Sequence, residues 1–166
     1  MNRMDGKVCV VTGATQGLGA AIARRLAKAG AAGVVITGRT PAKGRKVVES
    51  LAPCPAHFVQ ADFAKVEDCQ KVIAEADRLF GRIDVLVNAG ASTARGTILD
   101  TSPETFDDLF ATNVRGPYFL MQAAIRLMIA KGTEGAICNI GSISALAGQP
   151  FINAYCASKG ALTTLT

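Results

Sequence analysis

The chain has 166 residues, 49% of them hydrophobic and 19% charged, with a formal net charge of +5. This length suits one domain with a buried core, and the composition excludes an intrinsically disordered chain. No run reaches the ~18 uncharged apolar residues of a membrane span, and residues 1–13 lack the apolar core of a secretory signal. We therefore expect no membrane partner.

The positive charge is concentrated in the first 50 residues, which contain nine Lys and Arg but only two Asp and Glu. Such a basic half indicates an anionic partner, either a nucleic acid or a phosphorylated small molecule. A solvated helix face that includes Arg24, Arg25 and Lys28 is the alternative. Aromatic residues are not interleaved with the basic ones and no nucleic-acid motif is present, so we expect no nucleic-acid partner.

The five cysteines, at positions 9, 54, 69, 138 and 156, form no Cys-x-x-Cys pair. An odd number of cysteines without such pairs is typical of a reduced, cytoplasmic protein. With a single histidine besides, we expect no metal site.

Short apolar runs alternate along the chain with longer stretches of helical period. The predicted strands cover residues 8–11, 34–36, 57–60, 85–87 and 136–140. The predicted helices cover residues 17–29, 41–51, 65–80, 102–130 with an irregularity near Gly116-Pro117, and 153–166. This order predicts an α/β fold with a doubly wound, parallel, Rossmann-like sheet of five strands. Ligands of such sheets bind at the carboxyl ends of the strands.

A glycine-rich loop follows the first predicted strand, with glycines at positions 13, 17 and 19. Glycine permits a tight turn and a close backbone approach, and the start of the next helix offers free N–H groups to a phosphate. An ordinary strand-to-helix turn is the alternative. The position between the first strand and the first helix favours nucleotide binding.

Arg39 stands 20 residues beyond Gly19, at the end of the second predicted strand. Proteins that bind a free ribose 2′-hydroxyl usually have Asp or Glu near this place. An Arg can instead pair with a 2′-phosphate, so the sequence favours NADP(H) over NAD(H). A solvent-exposed surface Arg is the alternative.

Tyr155 and Lys159 are four residues apart at the start of the last predicted helix, so they share one face. An ammonium near a phenol favours the phenolate form, and the pair can act as a general acid or base toward an alcohol or carbonyl. Ser142 follows the fifth strand and could bond the same oxygen. A surface pair on a helix is the alternative.

Taken together, these residues resemble the short-chain dehydrogenase/reductase family, in its NADP-preferring branch. The resemblance covers residues 7–166. Its markers, in family order, are Thr12-Gly13-x-x-x-Gly17-x-Gly19, Asp62, Asn88-Ala89-Gly90, Asn113, Gly141-Ser142 and Tyr155-x-x-x-Lys159.

The resemblance implies a role for each matching residue. Tyr155 would exchange a proton with the substrate oxygen, Lys159 would favour its ionised form and hold the nicotinamide ribose, and Ser142 would orient the carbonyl. Asn113 would support a relay water near Lys159, and Asp62 would contact adenine. A helix cap at Asp62, a satisfied amide at Asn113 and a turn hydroxyl at Ser142 are the alternatives. The implied cofactor-binding set is Thr12, Gly13, Thr15, Gln16, Gly17, Leu18, Gly19, Arg39, Asp62, Phe63, Asn88, Ala89, Gly90, Tyr155 and Lys159.

Two departures from the family pattern are visible. Gln16 stands where NADP-preferring members often have a basic residue, and Val87 stands where members often have a second Asn. Members are also longer, so we expect residues 1–166 to be a dinucleotide-binding domain that stops within the catalytic helix and lacks the family's last strands. The fifth strand would then be an exposed edge, and the longer protein would form a homodimer or homotetramer.

The expected function is hydride transfer between NADP(H) and a carbonyl or secondary alcohol. A 3-oxoacyl-carrier-protein reductase and a general ketone reductase are the leading expectations for its substrate class. If the 166-residue form is natural, a non-catalytic nucleotide-binding fragment or regulatory protein is the alternative.

Overall fold

Five parallel strands form a single sheet in the computed structural model, which describes residues 3–166. The strand order is β3-β2-β1-β4-β5, so the chain reverses its direction of winding beside β1. The predicted doubly wound parallel sheet is therefore confirmed. The strands are β1 Val8–Thr12, β2 Gly33–Gly38, β3 Ala56–Gln60, β4 Val85–Asn88 and β5 Ala136–Asn139.

Six α-helices connect or follow the strands. Five of them begin within one residue of their predicted starts, and α5 begins at the predicted irregularity. None of the helices in residues 3–166 is long and apolar enough to cross a bilayer. The helices are α1 Gly17–Lys28, α2 Pro41–Glu49, α3 Val66–Phe80, α4 Pro103–Phe110, α5 Gly116–Ala130 and α6 Asn153–Thr164.

A π-helical turn, Ala111–Arg115, joins α4 to α5. The sequence predicts an irregularity near Gly116-Pro117, and the distortion lies just before it. Pro117 has no N–H for the carbonyl of Asn113, four residues earlier, so the regular ladder fails on the amino side of the proline. A 3₁₀ turn at Ile143–Ala145 is the one helical element in residues 3–166 that the sequence patterns do not predict.

Alternating strand residues face two separate hydrophobic layers. Val10 and Val35 face α3 and α5, whereas Val11 and Ile36 face α1 and α2. All of β1 and β2 is buried, which explains why their sequences are continuously apolar rather than alternating. The helices thus cover both faces of the central strands and leave the strand ends free.

β5 lies at an edge of the sheet, with β4 on one side. Ala136 and Cys138 are exposed, in contrast to the buried residues of β1. The predicted exposed edge at the fifth strand is present.

Candidate active site

A cleft of about 330 Å³ opens at the carboxyl ends of β1, β2 and β4, where the direction of winding reverses. This is the place where doubly wound sheets bind ligands. Eleven residues of the predicted cofactor set line it: Gly13, Thr15, Gln16, Gly17, Leu18, Gly19, Arg39, Asp62, Phe63, Ala89 and Gly90.

Gly13 allows the loops after β1 and β4 to touch. Its φ angle is +63°, and a Cβ built on it would lie 2.4 Å from the Gly90 Cα. Backbone atoms cannot rotate out of such a contact, so only glycine fits. The floor of the cleft is therefore bare backbone, which a phosphate group can approach closely.

The amino end of α1 faces the cleft without a capping side chain. Gln16 precedes the helix and makes no side-chain cap bond, and the first turn contains no acidic residue. The first N–H groups of the helix and the positive end of its dipole are thus available to an anion.

Two residues of the predicted cofactor set lie behind the cleft wall. The Thr12 hydroxyl accepts hydrogen bonds of 3.1 Å from the backbone N–H groups of both Ala89 and Gly90. The Asn88 Nδ2 donates to the Asn139 Oδ1 at 2.8 Å, across neighbouring strands. Thr12 therefore holds the loop after β4, which lines the cleft, and Asn88 joins the ends of β4 and β5.

Arg39 lies exposed on the loop after β2. Within residues 3–166 no carboxylate lies within ion-pair distance of its guanidinium. A side chain at Gly38, the residue before it, would require Thr15 to move, since a Cβ there would lie 2.8 Å from the Thr15 Cγ2. The second strand therefore ends in an unpaired cation with no acid beside it.

Asp62 and Phe63 form the wall of the cleft beyond β3. The Asp62 Oδ1 accepts a bond of 3.1 Å from the Ala64 N–H, whereas the residue that precedes α3 as its cap is Lys65. The Phe63 ring lies against Gly90, where a Cβ would come within 2.4 Å of it. Asp62 thus shapes a turn that faces the cleft and does not cap α3.

Lys159 is buried in α6 beneath Tyr155. Its Nζ donates a hydrogen bond of 2.6 Å to the Ile140 carbonyl, just after β5, and lies 5.9 Å from the centre of the Tyr155 ring. Burial lowers the pKa of Lys159. The predicted pair is therefore together at the carboxyl end of the sheet, with the phenol half-buried above the ammonium.

Ser142 begins the 3₁₀ turn after β5. Its Oγ accepts a bond of 3.2 Å from the Ser144 N–H. A hydroxyl that accepts one bond still has its own proton to donate. Ser142 is thus a turn hydroxyl and, at the same time, a possible donor to a substrate oxygen.

Asn113 lies in the π-helical turn and is fully buried. Its Oδ1 accepts from the Ser92 N–H at 2.7 Å, and its Nδ2 donates to the Ser92 carbonyl at 2.9 Å and to the Ser158 Oγ at 3.0 Å. The Ser158 hydroxyl donates in turn to the Tyr155 carbonyl at 2.8 Å. One amide therefore ties the cleft wall to the helix of Tyr155 and Lys159.

The predicted water near Lys159 would have to use another atom of Asn113, because both protons of its amide are engaged within the protein. Pro117 has no N–H to donate to the backbone carbonyl of Asn113. This carbonyl is the candidate for that contact.

Five further residues line the cleft and were not predicted to do so: Gly38, Ala91, Ser92, Thr93 and Thr112. Residues 91–93 continue the loop after β4, so extending the Asn88-Ala89-Gly90 motif would have included them. Thr112 is placed by the π-helical turn, and neither its residue type nor its spacing indicates a cleft.

The comparisons with known proteins agree with this geometry. The family model described as short chain dehydrogenase matches residues 7–166. The chain is 36% identical to the sorbitol dehydrogenase of Cereibacter sphaeroides, with 99% of this chain and 63% of that protein covered. It is 34% identical to the NADP-dependent (R)-specific alcohol dehydrogenase of Lentilactobacillus kefiri, with 99% and 66% covered.

A crystal structure of NAD⁺-bound xylitol dehydrogenase superposes with a TM-score of 0.93 at 30% identity, covering 99% of this chain and 64% of that one. The chain thus spans about two-thirds of the length of the relatives that it matches. The family model spans nearly all of the 166 residues, and the strand order, the glycine cleft and the Tyr155–Lys159 pair fit it. The chain belongs to the short-chain dehydrogenase family.

Proposed function

We propose that the chain binds NADP(H) in the cleft and transfers a hydride between this cofactor and a carbonyl or secondary alcohol. The observation that supports this most is the position of Tyr155, Lys159 and Ser142, beside β5 at the same end of the sheet as the cleft. The cleft fits a dinucleotide, because it combines bare backbone at Gly13 with open N–H groups at α1.

The side chains divide the chemistry among them. When bound, the nicotinamide supplies or accepts the hydride. Tyr155 gives its phenolic proton to the substrate oxygen as the carbonyl carbon gains the hydride, and it takes the proton back in the reverse direction. Lys159, whose Nζ lies 5.9 Å from the centre of the Tyr155 ring, would hold the nicotinamide ribose. Ser142 donates a hydrogen bond to the same oxygen, where negative charge develops.

The Tyr155→Phe variant tests this role directly. General acid–base catalysis contributes roughly 10²–10⁴-fold, so we expect a loss of turnover of about that size while NADPH binding is retained. Tyr118→Phe is the matched control, because Tyr118 is the other tyrosine of the chain and lies 46% exposed on α5. Equal turnover of Tyr155→Phe and the unmodified chain would contradict the proposal.

The preference for NADP(H) rests on Arg39 and the absence of an acid beside it. The relatives do not decide between NADP(H) and NAD(H), since one is named as NADP-dependent and another holds NAD⁺. A charge-assisted bond to a phosphate contributes about 1.5–3 kcal/mol. We therefore expect Arg39→Asp to weaken NADPH binding by roughly 10–100-fold and NADH binding far less, as measured by fluorescence titration. An unchanged preference for NADPH over NADH would show that Arg39 does not select the cofactor.

The substrate class proposed is a 3-oxoacyl-carrier-protein or another ketone. The test is a panel of 3-oxoacyl thioesters, simple ketones and sugar alcohols, followed by oxidation or formation of NADPH. The alternative function is nucleotide binding without catalysis. Tight NADPH binding with no turnover on the whole panel would favour it.

We further propose that the protein is cytoplasmic and forms a homo-oligomer. All five cysteines are free, and burial raises the pKa of Cys9 and of Cys69 to about 12, which keeps these thiols unreactive. Ile125 and Ile129 are exposed on α5, 44% and 76%, and a second copy could cover them. The homodimer or homotetramer is expected of the longer protein, so sedimentation of a longer form measures the oligomeric state, and a monomer at all concentrations would contradict this part.

A further inference from the structure

A second cation, Lys43 on α2, contacts the lining of the cleft. The Lys43 Nζ donates a hydrogen bond of 2.9 Å to the Gln16 Oε1, across 27 positions of sequence. Gln16 and Arg39 both line the cleft. Lys43 is therefore linked, through Gln16, to the same cleft as Arg39.

The charge of Lys43 is not neutralised there. The amide oxygen of Gln16 is uncharged, the first turn of α2 contains no acidic residue, and within the described part of the chain no carboxylate lies within ion-pair distance of Lys43. Within residues 3–166 neither cation is neutralised by a carboxylate, so both remain available to an anion bound in the cleft.

The Lys43 cation belongs to a different element from the glycine-rich loop, because its side chain extends from α2 to Gln16. Gln16 therefore serves as the anchor of Lys43.

We propose that Lys43 and Arg39 together bind the 2′-phosphate of an adenine nucleotide, with Gln16 positioning Lys43. This inference rests on the proposed function, since it assigns a residue that decides between a 2′-phosphate and a free 2′-hydroxyl. A dianionic phosphate can accept hydrogen bonds from both cations at once, the guanidinium as a planar fork and the ammonium as a point charge.

The experiment compares two nucleotides that differ only in the 2′-phosphate, adenosine 2′,5′-bisphosphate and adenosine 5′-monophosphate, titrated calorimetrically into the 166-residue chain. We expect Lys43→Met to weaken the bisphosphate by about tenfold, as loss of one charge-assisted bond does, with the monophosphate unchanged. Gln16→Leu removes only the anchor, so a smaller loss confined to the bisphosphate is expected.

Lys46→Met is the matched control. It removes the same charge from the same helix one turn further along, and Lys46 makes no bond to the glycine-rich loop within residues 3–166. We expect it to change neither affinity by more than about twofold, because exposed charges at a distance are screened by salt.

The outcomes separate this inference from the proposed function. If the unmodified chain prefers the bisphosphate, Arg39→Asp abolishes the preference and Lys43→Met leaves it intact, Lys43 has no part in the site and only this inference fails. If Lys43→Met and Lys46→Met weaken the bisphosphate equally, general charge explains the effect and the inference also fails. If the unmodified chain binds both nucleotides equally or neither, the proposed NADP(H) site fails and the inference fails with it.

Discussion

At the amino end of the sheet a buried carboxylate is paired with two cations, whereas at the carboxyl end cations and backbone N–H groups remain open. Asp84, just before β4, is only 2% exposed and accepts hydrogen bonds from the Val8 N–H at 2.9 Å and from Arg82 at 2.6 and 2.9 Å. Lys7 adds a bond of 3.2 Å. This carboxylate joins the starts of β1 and β4 and leaves nothing for a ligand to satisfy.

The carboxyl end shows the opposite arrangement. The Oγ1 of Thr37 and the Oδ1 of Asn88 are buried near the ends of β2 and β4 without a hydrogen-bond partner. Arg39 and Lys43 face no carboxylate, and the start of α1 has no cap. Unsatisfied polar groups cost stability. At the amino end, therefore, the polar groups hold the fold together, whereas at the carboxyl end they remain available to a ligand.

The largest expected effect comes from adding one carbon atom at the carboxyl end. In Gly13→Ala the new Cβ would lie 2.4 Å from the Gly90 Cα and 2.6 Å from its N, in a residue with φ of +63°. Since backbone must shift, we expect a loss of about 3 kcal/mol or more in the free energy of unfolding, together with loss of NADPH binding. Urea unfolding and fluorescence titration measure the two effects.

Gly17→Ala is the control for backbone strain alone. Gly17 has φ of +55°, but a Cβ there would meet no atom within 4 Å. The expected cost is about 1–2 kcal/mol, the strain of a left-handed residue. If the two variants lost the same stability, the close approach of the two loops would not be what requires glycine at position 13.

The second-largest expected effect is a loss of stability that originates at the amino end of the sheet. Asp84→Ala removes a buried acceptor from Val8, Arg82 and Lys7, and we expect it to lower the free energy of unfolding by about 2–4 kcal/mol. NADPH affinity should not change. Glu75→Ala removes a pair with Arg78 on the surface of α3 and should change the stability far less, because exposed ion pairs contribute little. A parallel loss of NADPH affinity in Asp84→Ala would show that the two ends are not separate in function.

The same carboxylate should make stability depend on acid. Burial would raise the pKa of Asp84, but hydrogen bonds from Arg82, the Val8 N–H and Lys7 outweigh it and hold the pKa below its ordinary value. A lowered pKa in the folded state means that the contribution is complete above the unfolded value of about 3.9 and is lost as the pH falls further, through the folded value.

Urea unfolding of the unmodified chain and of Asp84→Asn at about pH 7 and about pH 3 measures this contribution. We expect the stability difference between the two proteins to shrink at the lower pH. A difference that stays constant would show that the charge of Asp84 is not what stabilises the sheet.

The sequence was sufficient to predict the five strands of the sheet, because each strand has its own short apolar run. Val8–Val11 are apolar without interruption since both faces of β1 are covered, and the prediction stopped one residue short only because Thr12 is polar. Thr12 belongs to the strand and is buried, with its hydroxyl bonded to the loop after β4. The glycine spacing likewise predicted the cleft, because a close backbone approach excludes every other residue type.

The contacts that join distant elements could not be read from the sequence. The bond from Lys43 to Gln16 spans 27 positions and depends on how α2 leaves β2. The π-helical turn follows from Pro117, but where it directs the Asn113 amide depends on the packing of α4, α5 and α6. The sequence therefore identified Asn113 as a functional candidate without showing what it contacts.

The smallest expected effect comes from the uncharged hydrogen bonds that hold α6 at the carboxyl end of the sheet. Ser158→Ala removes the hydroxyl that accepts from the Asn113 Nδ2 and donates to the Tyr155 carbonyl, and it leaves a buried amide proton unpaired. We expect a loss of about 1–2 kcal/mol in unfolding free energy, with faster hydrogen exchange in the first turn of α6.

Thr163→Ala, on the same helix, removes a hydroxyl bond to the Lys159 carbonyl at 2.9 Å. That bond lies at an exposed side chain, so its loss should cost less than about 0.5 kcal/mol. Equal effects of the two variants would mean that α6 is held only by its own helical bonds. A larger effect of Ser158→Ala would show that a neutral, buried amide does at the carboxyl end what the Asp84 carboxylate does at the amino end, without neutralising the cations that face the cleft.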